Sequence, residues 1–171
     1  MTNLLKLKTN IWITVAALVL GIFSQPVHAS GKEANALIMQ LYAFEKAQDY
    51  TRAAKLFPAN AQISIVWSFG ALFPKERATV TPTEWIKIMR ETDAELAQYE
   101  KGFRETGRDI KIISNKTIGD TIQIQSLQTI HFIYDGKAGV INQRDRFLVK
   151  NVGNSLRVIE WKSDQDLSDF L

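Results

Sequence analysis

From Thr121 to Tyr134 apolar and polar residues alternate almost without a break, and the same period of two recurs in the stretches around it. A period of two puts alternate side chains on opposite faces of an extended strand. Asp109–Ser114, Thr121–Tyr134, Gly139–Lys150 and Ser155–Lys162 therefore read as strands. The links between them are short: Lys116–Asp120, the hairpin signal Asp135-Gly136, and Asn151–Asn154. Strands joined by such turns pair antiparallel, so the C-terminal half is a meander with one face to be covered.

The cover lies upstream. Ser30–Gln48 carries Leu37, Leu41 and Phe44 at helical spacing, with Ile38 and Tyr42 beside them. Asp49 caps a shorter helix, Tyr50–Phe57. Gln62–Phe69 is rich in β-branched and aromatic residues and reads as a strand, and Gly70–Val80 reads as a loop. Thr81, Pro82 and Glu84 form a capping box with proline in the first turn. Behind it runs a stripe of Trp85, Met89, Thr92, Leu96, Tyr99 and Phe103, which predicts a helix ending at Gly107. The expected architecture is one α+β domain, with three N-terminal helices packed on one face of a curved antiparallel sheet.

The first 29 residues read as an address. Lys6 and Lys8 precede a 13-residue apolar run, Ile11–Phe23. Gln25 and Pro26 break the run, and Val27-His28-Ala29 fits signal-peptidase cleavage before Ser30. A helix of that length spans about 20 Å, short of the roughly 30 Å of bilayer hydrocarbon. The expectation is a signal peptide over 1–29, membrane contact only through it, and a periplasmic or secreted domain over 30–171. With two of the 21 basic residues removed, 19 face 18 acidic ones, so no basic footprint for nucleic acid remains. The chain has no cysteine, which excludes disulfides and thiolate chemistry. Asn115-Lys116-Thr117 is a glycosylation sequon by pattern.

Ala47-Gln48-Asp49-Tyr50, then Ala53-Ala54-Lys55-Leu56-Phe57 and Asn60-Ala61-Gln62-Ile63, resemble the opening of the NTF2-like cone fold, which includes the SnoaL-like proteins. Arg144–Lys150, Gly153 and Leu156-Arg157-Val158-Ile159 resemble its paired closing strands. The resemblance implies a cone whose concave face holds any pocket. The fold hosts enzymes, binding modules and secretion components alike, so it does not choose a function. By the resemblance, the general base of ketosteroid isomerases would fall on Ile65, which cannot accept a proton. The accompanying tyrosine falls on Leu41, one step from Tyr42. The last strand lacks the histidines that cyclases of the group carry, and the Arg144-Asp145-Arg146 triplet only superficially echoes the epoxide hydrolases, because neighbours in a strand face opposite ways.

Phase supplies the remaining candidates. Ile122, Ile124, Ile130, Phe132 and Tyr134 share the concave face, which Ser126 and Gln128 interrupt with polar groups in need of partners. Tyr42 and Trp67 are candidates for the pocket mouth. Arg144 and Arg146 share a face of the next strand, and Glu160 approaches from the last; placed inside the cone, they would hold an anionic ligand. Leu127, Thr129, His131 and Ile133 fall on the outer face and suit a homodimer interface. One histidine after the leader and scattered carboxylates make no metal site, and no cofactor is implied. The leading expectation is an exported, non-catalytic protein binding a small, partly apolar ligand in the cone or a protein partner on the sheet. The alternatives are an isomerase, dehydratase or hydrolase using a pocket carboxylate, and an assembly module of an envelope secretion complex.

Overall fold

The computed structural model describes residues 30–98 and 102–170. The expected leader over 1–29, and Tyr99 of the expected helical stripe, lie outside the described residues. Ser30 caps α1 (Gly31–Lys46): its hydroxyl accepts from the Glu33 N–H, and the Glu33 carboxylate accepts from the Ser30 N–H at 2.8 Å. Asp49 caps the short α2 (Tyr50–Ala54). Strand β1 (Gln62–Ser68) follows, then β2 (Glu76–Val80). The Thr81–Glu84 capping box and Pro82 start α3 (Pro82–Leu96) as the sequence indicates. Four long strands complete the domain: β3 (Phe103–Ile118), β4 (Thr121–Tyr134), β5 (Lys137–Val152) and β6 (Ser155–Asp166). A 3₁₀ turn, Ser168–Phe170, closes the described chain.

Four expectations need correction. The third helix ends at Leu96 rather than Gly107. Phe103 belongs to β3, where its ring stacks on Phe132 with centroids 5.4 Å apart. Phe103 fell on the helical period by accident, because its alternation belongs to the strand that follows. Gly107 is no helix cap: it lies at a bulge in β3 opposite His131. The segment read as a loop up to Val80 contains β2, an edge strand whose mixed charges give no alternation because only one neighbour constrains it. The sheet, in the order β2-β1-β6-β5-β4-β3, is not wholly antiparallel, since β1 and β6 run parallel, with Ile63 beside Trp161 and Ile65 beside Ser163. The acidic tail after Ser163 belongs to β6, which β1 extends by pairing as far as Asp166.

The helices cover the inner face of this six-stranded sheet. Ala34, Leu37, Ile38 and Leu41 of α1 pack into the core, and α3 contributes Trp85. Trp85 and Trp161 meet edge to face at 5.7 Å, while Phe57 and Phe147 stack on Trp161 at 6.3 and 5.7 Å. Aromatic rings bury large areas in fixed geometry, so this cluster locks α3 and the turn after α2 onto β5 and β6. Thr92 of the helical stripe stays exposed, so the buried face of α3 is narrower than its sequence period.

Candidate functional site

The strand register divides the inner face into rungs. One rung is apolar: Ile63, Trp161, Phe147 and Ile124. The next carries Ile65, Ser163, Asp145 and Ser126, and the one after it Trp67, Gln165, Gln143, Gln128 and Ile110. Beyond these the face is mixed, with Ile141, Ile130 and Arg108, then Phe132 beside Glu105. A band of serines, glutamines and an aspartate thus crosses the sheet beneath the helices, between apolar residues on either side.

Asp145 is the centre of the band and is 0% exposed. Its Oδ1 accepts from Trp161 Nε1 at 2.9 Å and Gln143 Nε2 at 3.0 Å. Its Oδ2 accepts from Tyr42 Oη at 2.8 Å, Gln143 Nε2 at 2.9 Å and Gln128 Nε2 at 3.1 Å. A buried carboxylate costs several kcal/mol unless hydrogen bonds replace water, and here four neutral side chains do so. Tyr42 Oη also meets Ser126 Oγ at 2.5 Å. Burial first, and the Asp145 charge second, push the Tyr42 hydroxyl well above the ordinary tyrosine range, so it is a fixed donor.

Toward the wide end of the cone a second set of polar groups gathers around Arg108 and Glu45. Arg108 grips Glu105 with two bonds, Nε to Oε1 at 3.1 Å and Nη2 to Oε2 at 2.7 Å, and its Nη1 reaches Gln128 Oε1 at 3.4 Å. Tyr50 Oη donates to Asp93 at 2.8 Å, and burial raises its pKa above the ordinary value. Glu45 lies on α1, three residues after Tyr42. The residue keeps some exposure, but its Oε2 is sealed and has no hydrogen-bond partner. Burial first and the Asp145 charge second raise its pKa to about 8, with Arg108 opposing and Glu105 adding to the rise. Glu45 is therefore a neutral acid at pH 7, with one oxygen that nothing in the fold satisfies.

Neither a family profile nor a curated protein matches the chain. Solved structures do. A ketosteroid isomerase-like protein from Erwinia carotovora atroseptica SCRI1043 superposes with a TM-score of 0.56 at 10% identity, covering 77% of this chain and 92% of that one. An NTF2-like protein from Cytophaga hutchinsonii ATCC 33406 gives 0.57 at 12% identity over 80% and 98%. The fold is NTF2-like. A putative scytalone dehydratase from Novosphingobium aromaticivorans DSM 12444 is similar at a TM-score of 0.54 and 11% identity, over 77% and 80%. At such identities the likeness carries the cone and not its chemistry.

Within the NTF2-like cone the candidate residues separate. Tyr42, Ser126 and Gln128 converge on Asp145, with Tyr42 at the buried centre rather than at a mouth. Trp67 lies on the inner face and packs against the core. Arg144 and Arg146 are a correction: they are exposed on the outer face, while the residue between them points inward. Phe147 and Val149 are buried and share a face with Asp145, and this phase excludes both arginines from the interior. Glu160 is also outward and holds Lys162 at 2.6 Å, so it is not a pocket carboxylate. Leu127, Thr129, His131 and Ile133 lie on the outer face, with His131 Nε2 3.5 Å from Asp109 Oδ2. Leu127 and Arg144 help line an open groove of about 520 Å³ whose side chains come mainly from that face. Ile65 stands inside, on the Asp145 rung, as an apolar side chain. The sequon asparagine is occupied, since Asn115 Nδ2 donates to Gly31 O and to Asn35 Oδ1, both at 2.7 Å.

Four interior residues escaped the sequence reading: Asp145, Gln143, Arg108 and Glu45. The alternation running into Phe147 and Val149 was signal enough for the first two. Glu45 follows Leu41 and Tyr42 by four and three residues, the spacing of one helix face. Arg108 stands beside the Glu105–Gly107 bulge, which resets the strand phase and leaves no mark in the sequence.

Proposed function

We propose that this chain is an exported NTF2-like protein that holds a small, partly apolar ligand in the wide end of its cone without transforming it. The observation that carries the reading is the sealed, unpartnered Oε2 of Glu45 beside the Arg108–Gln128–Asp145 chain of hydrogen bonds. Buried polar atoms in native proteins have partners, and a bound molecule supplies the missing one. The polar rungs bounded by Ile130 and Phe132 on one side and Ile124 and Phe147 on the other suit a ligand with one polar end. Absence of chemistry is supported by Ile65 on the Asp145 rung, by His131 outside, and by an Asp145 whose oxygens are already engaged. The charge of Asp145 and Glu105 argues against the anionic ligand that inward arginines would have favoured.

A second reading has one observation in its favour. A carboxylic acid protonated at neutral pH, as Glu45 is, suits general acid catalysis in an isomerase or dehydratase. The third, an assembly module docking partners on its outer face, draws on the groove at Leu127 and Arg144.

The test is native mass spectrometry of the protein recovered from its own export route. The reading expects a chain beginning at Ser30 that carries a small-molecule adduct, lost in Glu45→Gln and kept in Arg144→Ala. Recovery of a chemically altered adduct from the parent alone favours the enzyme. A bare mass, or an uncleaved leader, refutes the binder and turns attention to the outer face.

A further inference from the structure

The charges that face Glu45 do not balance. Glu45 stands on α1 with Tyr42; Tyr50 faces it from α2, with Asp93 of α3 behind that hydroxyl. Glu105 and Arg108 face it from β3, Gln128 adjoins from β4, and Asp145 acts on it from β5. The one guanidinium in this set is committed to Glu105 in a two-bond grip. Asp145 has only neutral donors: a phenol, an indole and two amides. Three carboxyl groups, Glu45, Asp93 and Asp145, are thus left without a cation; Asp93 and Asp145 accept from neutral donors, while Glu45 keeps an oxygen with no partner. Among the described residues no cluster of three acidic or histidine side chains is placed to hold a metal ion.

We infer that the ligand of the cone is an organic cation, a protonated amine on an apolar body, with its ammonium at the unpartnered Oε2 of Glu45. The inference rests on the proposed binding of a ligand in the cone and adds its chemical class. An ammonium group donates to the oxygen that lacks a partner and brings positive charge into the field of Asp145. An anion would meet the Glu45 and Asp145 carboxyl groups, and a neutral molecule would leave the imbalance in place. The apolar body has its place along β4, where Ile130 and then Phe132, stacked on Phe103, follow Gln128 on the inner face. An aromatic face beside an ammonium adds a further attraction. Because Glu45 holds its proton at pH 7, a cation that ionises it expels that proton, so binding and proton release are linked.

The experiment uses three probes of one shape and different charge: 2-phenylethylammonium, 2-phenylethanol and 3-phenylpropanoate. Each is titrated calorimetrically into the parent and into Glu45→Gln, in buffers of different ionisation enthalpy. The expected result is at least tenfold tighter binding of the ammonium than of the alcohol, with net proton release at pH 7. Its affinity should rise about tenfold between pH 6.5 and 8, as Glu45 becomes easier to ionise. In Glu45→Gln the preference and the proton release vanish while the far-UV circular dichroism stays that of the parent, which a collapsed fold would not allow. Equal or tighter binding of the alcohol or the propanoate overturns the cation and leaves the cone site standing. Failure of all three probes, together with a bare native mass, overturns both.

Discussion

At the scale of single residues, the interior is governed by two carboxyl groups with opposite fates. Asp145 is satisfied by Tyr42, Gln128, Gln143 and Trp161, so its removal strands four donors in a sealed space. Asp145→Ala should cost about 3–5 kcal/mol, read as a lower urea midpoint by far-UV circular dichroism. A loss under about 1 kcal/mol would show that water reaches the network. Glu45 behaves differently. Unfolded, it gives up its proton near 4.5; folded, it keeps it to about 8. Between these values the native state binds the extra proton, so stability is fully present below pH 4.5 and falls as pH rises through the window. The slope is at most about 1.4 kcal/mol per pH unit, and the residual exposure of Glu45 reduces it. Glu45→Gln should flatten the fall between pH 5 and 8. A variant as pH-sensitive as the parent would mean that another group titrates.

Among the elements, the β4–β5 hairpin positions the polar band. Asp135 and Gly136 turn it with φ of 48° and 77°, the paired positive values a two-residue turn requires. From that turn the register carries Gln128 onto Gln143 and Ser126 onto Asp145, so the turn fixes the site from a distance. Gly139, three residues past the turn, lets the buried Phe132 ring lie flat on β5: a Cβ there would stand 2.5 Å from Phe132 Cζ. Gly139→Ala should therefore destabilise by about 1–3 kcal/mol and unstack Phe132 from Phe103, read by thermal unfolding and by the aromatic proton shifts of Phe132. Unchanged stability would mean that the ring has room to tilt away.

The whole molecule presents two surfaces with different demands. Inside, the helices seal an apolar end around Trp85 and Trp161 and leave the polar band toward the wide end. Outside, Leu127 is 37% exposed among Thr129, His131 and Arg144, the half-polar face on which the strand phase places a homodimer interface. Leu127→Asp should turn a dimer into monomers in sedimentation velocity and leave ligand binding in the cone untouched. A parent that sediments as a monomer at every concentration overturns that expectation.

Sequence alone determined the parts whose signals are local. The Thr81 capping box, the Asp135-Gly136 turn and the fourteen-residue alternation of β4 depend on neighbours within a few residues, so the start of α3, the hairpin and the inward phase of Ser126 and Gln128 were legible. The tertiary structure decided what depends on strangers in the chain. β2 is a strand because β1 pairs with it, and the end of β6 is one because β1 and β5 flank it on both sides, pairings that leave no periodic trace in the sequence. The alternation into Phe147 and Val149 points Asp145 inward locally, but the donors that satisfy the buried aspartate come from α1, β4 and β6 and are brought together only by folding. The Glu45 pKa is the extreme case: it is set by burial and by charges on β3 and β5, sixty or more residues away, brought near by folding alone.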